Sequence, residues 1–211
     1  ERNVVFQEMA MRDDDPQDCA EEAFGSAFWG THPLGTSILG TKESMNAITR
    51  DQIFNYYKSH YKPEAMVVSA AGNIDHDYFV SLVKQNLERD NFLVGNNTPK
   101  IRNYSSFTPK PTARVKFHNG QFEQTNLFLG LEGVGRNDDR STTMKVLAIA
   151  IGSGMSSRLF QEIREKRGLV YSVDALIRRH VGSGYFAIYA GCAPDKATEV
   201  VKLAREILND V

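Results

Sequence analysis

The sequence predicts an α+β fold in which antiparallel sheets pack against helices, and three observations support that prediction. Of the 211 residues, 41% are apolar and 24% are charged, a composition typical of a chain that buries a hydrophobic core. Segments with helical spacing alternate with short apolar runs typical of strands. Several of these runs follow one another without a helix between them, and this order favours antiparallel pairing over a doubly wound parallel sheet.

A helical hairpin is predicted at the start of the chain. Residues 1–12 have helical spacing, and the run Asp13-Asp14-Asp15-Pro16 interrupts it. Because aspartate suits an N-cap and proline suits a first helical turn, this run is expected to end one helix and begin a second, which continues to about Phe28. Residues 30–40 are interpreted as a loop.

The next segment combines helices with one buried strand. Thr49-Arg50-Asp51-Gln52 has the pattern of a capping box. It opens a predicted helix with Tyr56 and Tyr57 on one face. Residues 66–73 form an apolar run typical of a buried strand, and Asp75 caps a further predicted helix.

A linker is predicted at residues 96–112, where three prolines occur with little periodicity. The regular elements predicted beyond it are strands near 114–118 and 125–132, helices near 138–151 and 156–167, strands near 171–179 and 184–191, and a final helix from Pro194.

Composition and spacing exclude several classes of protein. The formal charge is −1 without a local basic block, so no nucleic-acid partner is expected. No apolar run approaches the ~20 residues of a membrane span. Cys19 and Cys192 lie far apart, which argues against a disulfide framework and a thiolate metal site. The five histidines have no i,i+4 spacing, and no phosphate loop or G-x-S-x-G motif is present.

Glu1 and Glu8 are candidate metal-site carboxylates on the first helix. Seven residues separate them, so both lie on the stripe of Val4 and Val5 and are expected to face inward. Burying such charges is costly unless a cation or metal meets them, which makes a metal-binding role physically reasonable. The alternative is that Glu8 forms an ordinary i,i+4 ion pair with Arg12 and that Glu1 is a solvated terminus.

Arg164 and Tyr171 flank a predicted joint at which a helix ends at Gly168 and a strand begins. A guanidinium and a phenol held together at such a joint can grip a peptide carbonyl or polarise it in a transition state. The alternative is that Arg164 interacts with the negative end of the helix and that Tyr171 packs in the sheet with its hydroxyl in water.

Three stretches together resemble the pitrilysin (insulinase) superfamily of zinc peptidases, which includes the mitochondrial processing peptidase and similar bacterial proteins. They are an acidic helix ending in Asp-x-Pro (residues 1–16), Pro-Leu-Gly followed by Ile-Leu-Gly (residues 33–40), and a stretch with Gly-Met-Ser-Ser-Arg-Leu-Phe and Arg-Glu-Lys-Arg-Gly-Leu-Val-Tyr (residues 154–171). The last stretch is the most specific, and the resemblance covers most of the chain.

This resemblance implies a zinc-dependent endopeptidase that hydrolyses peptides or presequences in an enclosed cleft. In the superfamily, an inverted H-x-x-E-H motif supplies two histidine ligands and the general base, and a downstream glutamate completes the zinc site. By resemblance, Glu8 is that third ligand, and Glu1 belongs to the catalytic machinery as a glutamate supporting the site. Arg164 and Tyr171 match the pair with which the second domain contacts substrate.

The H-x-x-E-H motif is absent from these 211 residues. We therefore expect a fragment of a longer zinc peptidase, inactive alone and without zinc of its own. On that view residues 1–95 are the C-terminal part of the first (zinc-site) domain, residues 96–112 are the linker, and residues 113–211 are the N-terminal part of the second, related domain. Expected partners are peptide substrates and a second copy or partner subunit, since incomplete domains leave apolar faces uncovered. The alternative is a non-catalytic substrate-binding or scaffold subunit of the same superfamily.

Overall fold

A computed structural model describes residues 1–89 and 107–211, and its contacts divide the chain into two compact units. The first unit contains residues 1–42 and 104–211, and the second contains residues 43–103. In the described part of both units, each helix is too short or too polar to span a lipid bilayer.

The predicted helical hairpin forms at the expected residues. Helix α1 spans Arg2–Asp14, and helix α2 spans Pro16–Trp29. Asp15 is the N-cap of α2, since its carboxylate accepts hydrogen bonds from the backbone N–H groups of Gln17 and Asp18 at 2.8 and 3.0 Å. The proline that follows fits the first turn, where a backbone N–H has no helical partner. Local capping chemistry therefore sets this joint.

The first unit is built around a three-stranded antiparallel sheet. Its strands are β1 (Thr125–Gly133), β2 (Val170–Arg179) and β3 (Gly184–Cys192), and their order in the sheet is β1-β3-β2. The central strand β3 is buried at all nine residues. Because successive side chains of a strand point to opposite faces, a strand buried throughout requires cover on both faces.

Helices from the C-terminal half cover one face of the sheet. They are α6 (Ser141–Gly152), a π-helix (Phe160–Glu165) and α7 (Ala197–Asn209). The main core lies between these helices and the sheet, and its buried members include Ala148, Ile151, Leu159, Ile163, Val173, Ala175, Phe186, Ile188, Ala190, Val200 and Ala204.

The opposite face of the sheet carries an aromatic cluster supplied partly by α2. Phe28 and Trp29 of α2 pack against Tyr185 of β3, and the rings of Phe28 and Tyr185 lie edge to face with centroids 5.5 Å apart. Glu21 of α2 and Arg178 of β2 form an ion pair at 3.0 Å beside this cluster. The helix α2 is thus held on the sheet by apolar packing and by one ion pair at the surface.

His180, next to the turn between β2 and β3, packs edge-on against Trp29 with ring centroids 5.3 Å apart. Burial lowers the pKa of His180, and the positive charges of Arg136 and Arg178 lower it further. An unfolded histidine takes up a proton near pH ~6.5, whereas folded His180 resists protonation until a lower pH. The stability that His180 contributes is therefore complete above about pH 6.5 and is lost as the pH falls through its folded pKa.

We expect His180→Gln to reduce the fall in melting temperature between about pH 7 and pH 5. Trp29 is the only tryptophan and touches His180, so its fluorescence reports unfolding of this cluster. The exposed His118 lies outside this cluster, and His118→Gln is the matched control variant for the same substitution at another histidine. Parallel pH profiles for the wild type and His180→Gln would contradict this prediction.

Three α-helices lie between residues 42 and 89: α3 (Lys42–Ala47), α4 (Arg50–His60) and α5 (His76–Arg89). The predicted capping box begins α4. The Thr49 hydroxyl accepts a hydrogen bond from the Gln52 backbone N–H at 3.2 Å, and Gln52 Oε1 accepts one from the Thr49 N–H at 2.8 Å. These reciprocal bonds satisfy two of the N–H groups that a helix start leaves without partners.

Two predicted strands are absent from the structure. Residues 66–73 and 114–118 have no regular secondary structure and no strand partner among the described residues. Apolar and β-branched residues favour a strand, but a strand persists only where a neighbour satisfies its backbone N–H and C=O groups. The prediction was therefore wrong at these two positions.

The predicted linker at residues 96–112 lies partly outside the described residues. Its described end contacts α2: Phe107 packs on the aromatic cluster, and the Thr112 N–H donates to the Ala27 carbonyl at 2.9 Å. The division of the chain into a zinc-site domain and a substrate-contacting domain stays a prediction.

Candidate functional site

Arg164 is carried by the π-helix, where an ordinary helix was predicted over residues 156–167. Leu159 and Ile163 are fully buried in the main core and anchor this segment on the sheet. Arg164 follows Ile163 and is half-buried. A π-helix is rare and is found disproportionately at functional sites. The backbone conformation alone therefore makes this segment a candidate functional site.

Tyr171 is the extra residue of a β-bulge at the start of β2. Val170 lies opposite Cys192 and Ser172 lies opposite Gly191, so no residue of β3 is left to pair with Tyr171. The side chain of Tyr171 is 74% exposed. Bulges redirect a side chain from the regular alternation of a strand and are common beside active sites.

These two backbone irregularities bring Arg164 and Tyr171 together. The Cζ atom of Arg164 lies 5.9 Å from the ring centroid of Tyr171 and 4.7 Å from that of Phe160. Both distances fall within the range of cation–π attraction. Phe160 was not among the predicted site residues, although its position four residues before Arg164 on a predicted helix indicates that the two side chains share a face.

Three charged residues near Arg164 pair with one another. Glu162 forms ion pairs with Lys166 and Arg167, and these partners lower the pKa of the Glu162 carboxyl. Arg167 also donates to the backbone carbonyl of Glu162 at 2.6 Å, and thus contacts a carbonyl near the helix end. Within residues 1–89 and 107–211 no carboxylate pairs with Arg164. Among the described residues, its N–H donors therefore have no carboxylate partner.

Glu1 and Glu8 are both exposed, so the expected inward orientation of these carboxylates was wrong. The buried residue of α1 is Met9, and the packed side of the helix runs through Val5, Met9 and Arg12. Successive residues of an α-helix point about 100° apart. Glu8 therefore lies about 100° around the helix axis from Met9, at the border of the packed side, with its side chain exposed.

The alternative ion pair between Glu8 and Arg12 is not formed either. The Arg12 guanidinium contacts Asp13 at 2.6 Å, Glu22 at 3.0 Å and the Ser37 hydroxyl at 2.9 Å. The hydrogen bond to Asp13 raises the pKa of Arg12, and Glu22 adds to that effect. Glu8 is left as an exposed carboxylate on a regular helix.

A zinc site is not formed by the described residues of this chain alone. Residues 1–89 and 107–211 contain no group of three or more histidine, cysteine, aspartate or glutamate side chains placed to hold a metal. A catalytic zinc takes three protein ligands and a water, so one exposed carboxylate at Glu8 is insufficient. The assigned roles of Glu1 and Glu8 stay predictions.

Known proteins share both the sequence and the fold of this chain. Residues 47–211 match the family described as the peptidase M16 inactive domain. A Streptomyces coelicolor protein named an uncharacterized zinc protease is 40% identical over 212 aligned residues, which cover 100% of this chain and 46% of that protein.

Solved structures with this fold include a peptidase M16 inactive domain and a chain of complex III2. The peptidase M16 inactive domain from Pseudomonas fluorescens aligns with a TM-score of 0.80 at 21% identity, covering 99% of this chain and 50% of that chain. A chain of complex III2 from Candida albicans aligns with a TM-score of 0.70 at 18% identity, covering 91% of this chain and 46% of that chain.

The sequence matches define a class of proteins whose relatives at 38–40% identity are named uncharacterized zinc proteases. Within that class the chain belongs to the peptidase M16 family. This finding confirms the resemblance to pitrilysin-type zinc peptidases. The chain spans about half the length of the curated relatives it matches.

Proposed function

We propose that this chain is the substrate-contacting part of a zinc-dependent endopeptidase about as long as its relatives, called the full-length protein below. The observation that carries the proposal is the meeting of Arg164 and Tyr171 at a joint where Tyr171 is exposed and where no described carboxylate pairs with Arg164. The names of the relatives, zinc proteases of matching sequence, support the class of reaction.

In this proposal Arg164 and Tyr171 act on a peptide carbonyl. The planar guanidinium offers several N–H donors in one plane, and the phenol offers one O–H. Donors aimed at a carbonyl oxygen orient the peptide and stabilise negative charge as it develops on that oxygen. The two side chains thus bind and polarise the bond to be hydrolysed.

Glu8 is proposed as the one carboxylate ligand that this chain contributes to a zinc site, with Glu1 supporting that site from the same helix. Both carboxylates are exposed, which makes them accessible to groups outside the described residues. The remaining ligands and the general base would come from an H-x-x-E-H segment elsewhere in the full-length protein.

The experiment that tests this proposal is the exchange Arg164→Lys in the full-length protein. We expect kcat/KM for an unstructured peptide to fall about 10- to 100-fold, because an ammonium keeps the charge but loses the planar donor fork. Tyr171→Phe, which removes only the hydroxyl, should also lower kcat/KM, and zinc content should not change in either variant.

Arg167→Lys is the matched control for that exchange. Arg167 lies on the same segment but pairs with Glu162, so its replacement should leave kcat/KM close to that of the wild type. Near-normal kcat/KM for both Arg164→Lys and Tyr171→Phe would mean that the pair has only a structural role.

The 211-residue chain alone is expected to hydrolyse no peptide, even with added zinc. Its described residues provide no set of three metal ligands, and its sequence lacks the H-x-x-E-H motif. Turnover of an unstructured peptide that stops on addition of a chelator would refute this expectation.

The alternative function is that of a non-catalytic scaffold or substrate-binding subunit, and a chain of complex III2 shows that the same fold also occurs in an assembly. The two functions differ in the remainder of the full-length sequence. An intact H-x-x-E-H segment there supports the peptidase, and its absence supports the subunit.

A further inference from the structure

The Phe160 side chain joins the hydrophobic core to the Arg164 guanidinium. Phe160 begins the π-helix and packs partly buried against the main core, between the fully buried Leu159 and the next turn at Ile163. Its ring lies beneath the guanidinium, with 4.7 Å between the ring centroid and Cζ. The core thus holds the Phe160 ring in place, and the ring in turn contacts the guanidinium of Arg164.

We propose that Phe160 is a positioning residue that holds Arg164 in its substrate-contacting orientation while leaving the guanidinium donors free. This inference rests on the proposed function of Arg164 and adds the group that orients it. Phe160 itself would touch neither the peptide nor the metal.

A contact between a guanidinium and an aromatic ring differs from an ion pair in the donors that it uses. A guanidinium that stacks on an aromatic face uses its own face, and its N–H groups point outward in the guanidinium plane. A carboxylate partner would instead occupy two of those donors. Holding Arg164 by a ring therefore fixes its position without using the donors that a carbonyl needs.

The ion pairs near Arg164 also leave its donors without a carboxylate partner. Glu162 lies on the same segment but is engaged by Lys166 and Arg167, which keeps it from Arg164. Tyr171 supplies a second ring, at 5.9 Å, but is 74% exposed. Of the two rings that contact Arg164, the Phe160 ring is therefore held in place by the core, and the Tyr171 ring is accessible to a ligand.

A direct test measures the stacking in the 211-residue chain by NMR, without any substrate. The Nε–H proton of Arg164 should carry a ring-current shift that disappears in Phe160→Leu and returns in Phe160→Tyr. A shift that is unchanged in Phe160→Leu would overturn the inference.

The functional test uses kcat/KM of the full-length protein. Phe160→Leu should lower it about two- to tenfold, the size expected for one cation–π contact, and Phe160→Tyr should recover most of that loss. Leu129→Ala is the control for general destabilisation, because Leu129 also packs partly buried on the main core but lies on β1. It should lower the melting temperature and leave kcat/KM unaffected well below that temperature.

A double-mutant cycle separates positioning from simple packing. If Phe160 acts through Arg164, then Phe160→Leu should cause no further loss once the uncharged Arg164→Gln is present, because no cation is left for the ring to hold. Additive losses would overturn the positioning role while leaving the function of Arg164 intact. Full activity of Arg164→Lys alone would instead defeat the proposed function itself.

Discussion

A full-length protein carrying Glu8→Gln is expected to lose its zinc on dialysis. Its peptidase activity should then fall by more than about 100-fold. The amide is neutral and a much weaker zinc ligand than the carboxylate it replaces. No cluster of alternative ligands among residues 1–89 and 107–211 can take its place. Glu1→Gln should keep stoichiometric zinc and lose about 10- to 100-fold in activity, since a supporting group orients a ligand without binding the metal.

Elemental analysis of dialysed protein separates these two glutamates. Asp14→Asn provides the matched control, because Asp14 is an exposed carboxylate at the last residue of the same helix and should affect neither zinc content nor activity. Stoichiometric zinc in the Glu8→Gln protein after dialysis would show that Glu8 is not a ligand.

Gly152→Ala is expected to lower the free energy of unfolding by about 1–3 kcal/mol. Gly152 ends α6 at its closest approach to β2, and an added Cβ would overlap the backbone nitrogen and the Cβ atom of Ala175. Both groups belong to the packed interior of the first unit, so the clash can be relieved only by moving α6 away from the sheet.

Gly25→Ala is the comparison variant, and its effect should have the opposite sign. Gly25 lies within α2, where an added Cβ meets nothing within 4 Å. Alanine favours a helix over glycine, so we expect a gain of about 0.5–1 kcal/mol. Chemical denaturation of both variants measures the two changes, and an equal or more stable Gly152→Ala protein would contradict the proposed close approach.

Local chemistry made much of the fold predictable. Asp15 with the following proline fixes the start of α2, and the capping box at Thr49 fixes the start of α4, because both signals are complete within four residues. The strands β2 and β3 were also found, since they follow one another and pair as neighbours. Residues 66–73 were not correctly predicted, because their strand would depend on a partner that local sequence does not specify.

The candidate site was predictable in identity but not in geometry. The spacing of Arg164 and Tyr171 around Gly168 indicated their proximity, and the described structure brings them together. The π-helix and the bulge were invisible in the sequence, because each changes the backbone by about one residue without a distinctive composition. On α1, the stripe containing Glu8 was misplaced because the packing of Met9 selects a neighbouring side of the helix.

The bulge at Tyr171 limits how the number of residues between Arg164 and Tyr171 can vary. Val173 lies opposite Ala190 and Ala175 opposite Ile188, all in the main core, and continuing that alternation backwards would place Tyr171 opposite Cys192, facing inward. Because of the bulge, Val170 instead lies opposite Cys192 and is buried, and the Tyr171 phenol is exposed.

Removing or adding one residue between Arg164 and Tyr171 would change which side chain faces the core at this point, since side chains in a strand alternate with a period of two. The helix-to-strand joint, although exposed, should therefore tolerate insertions and deletions as poorly as a core strand does.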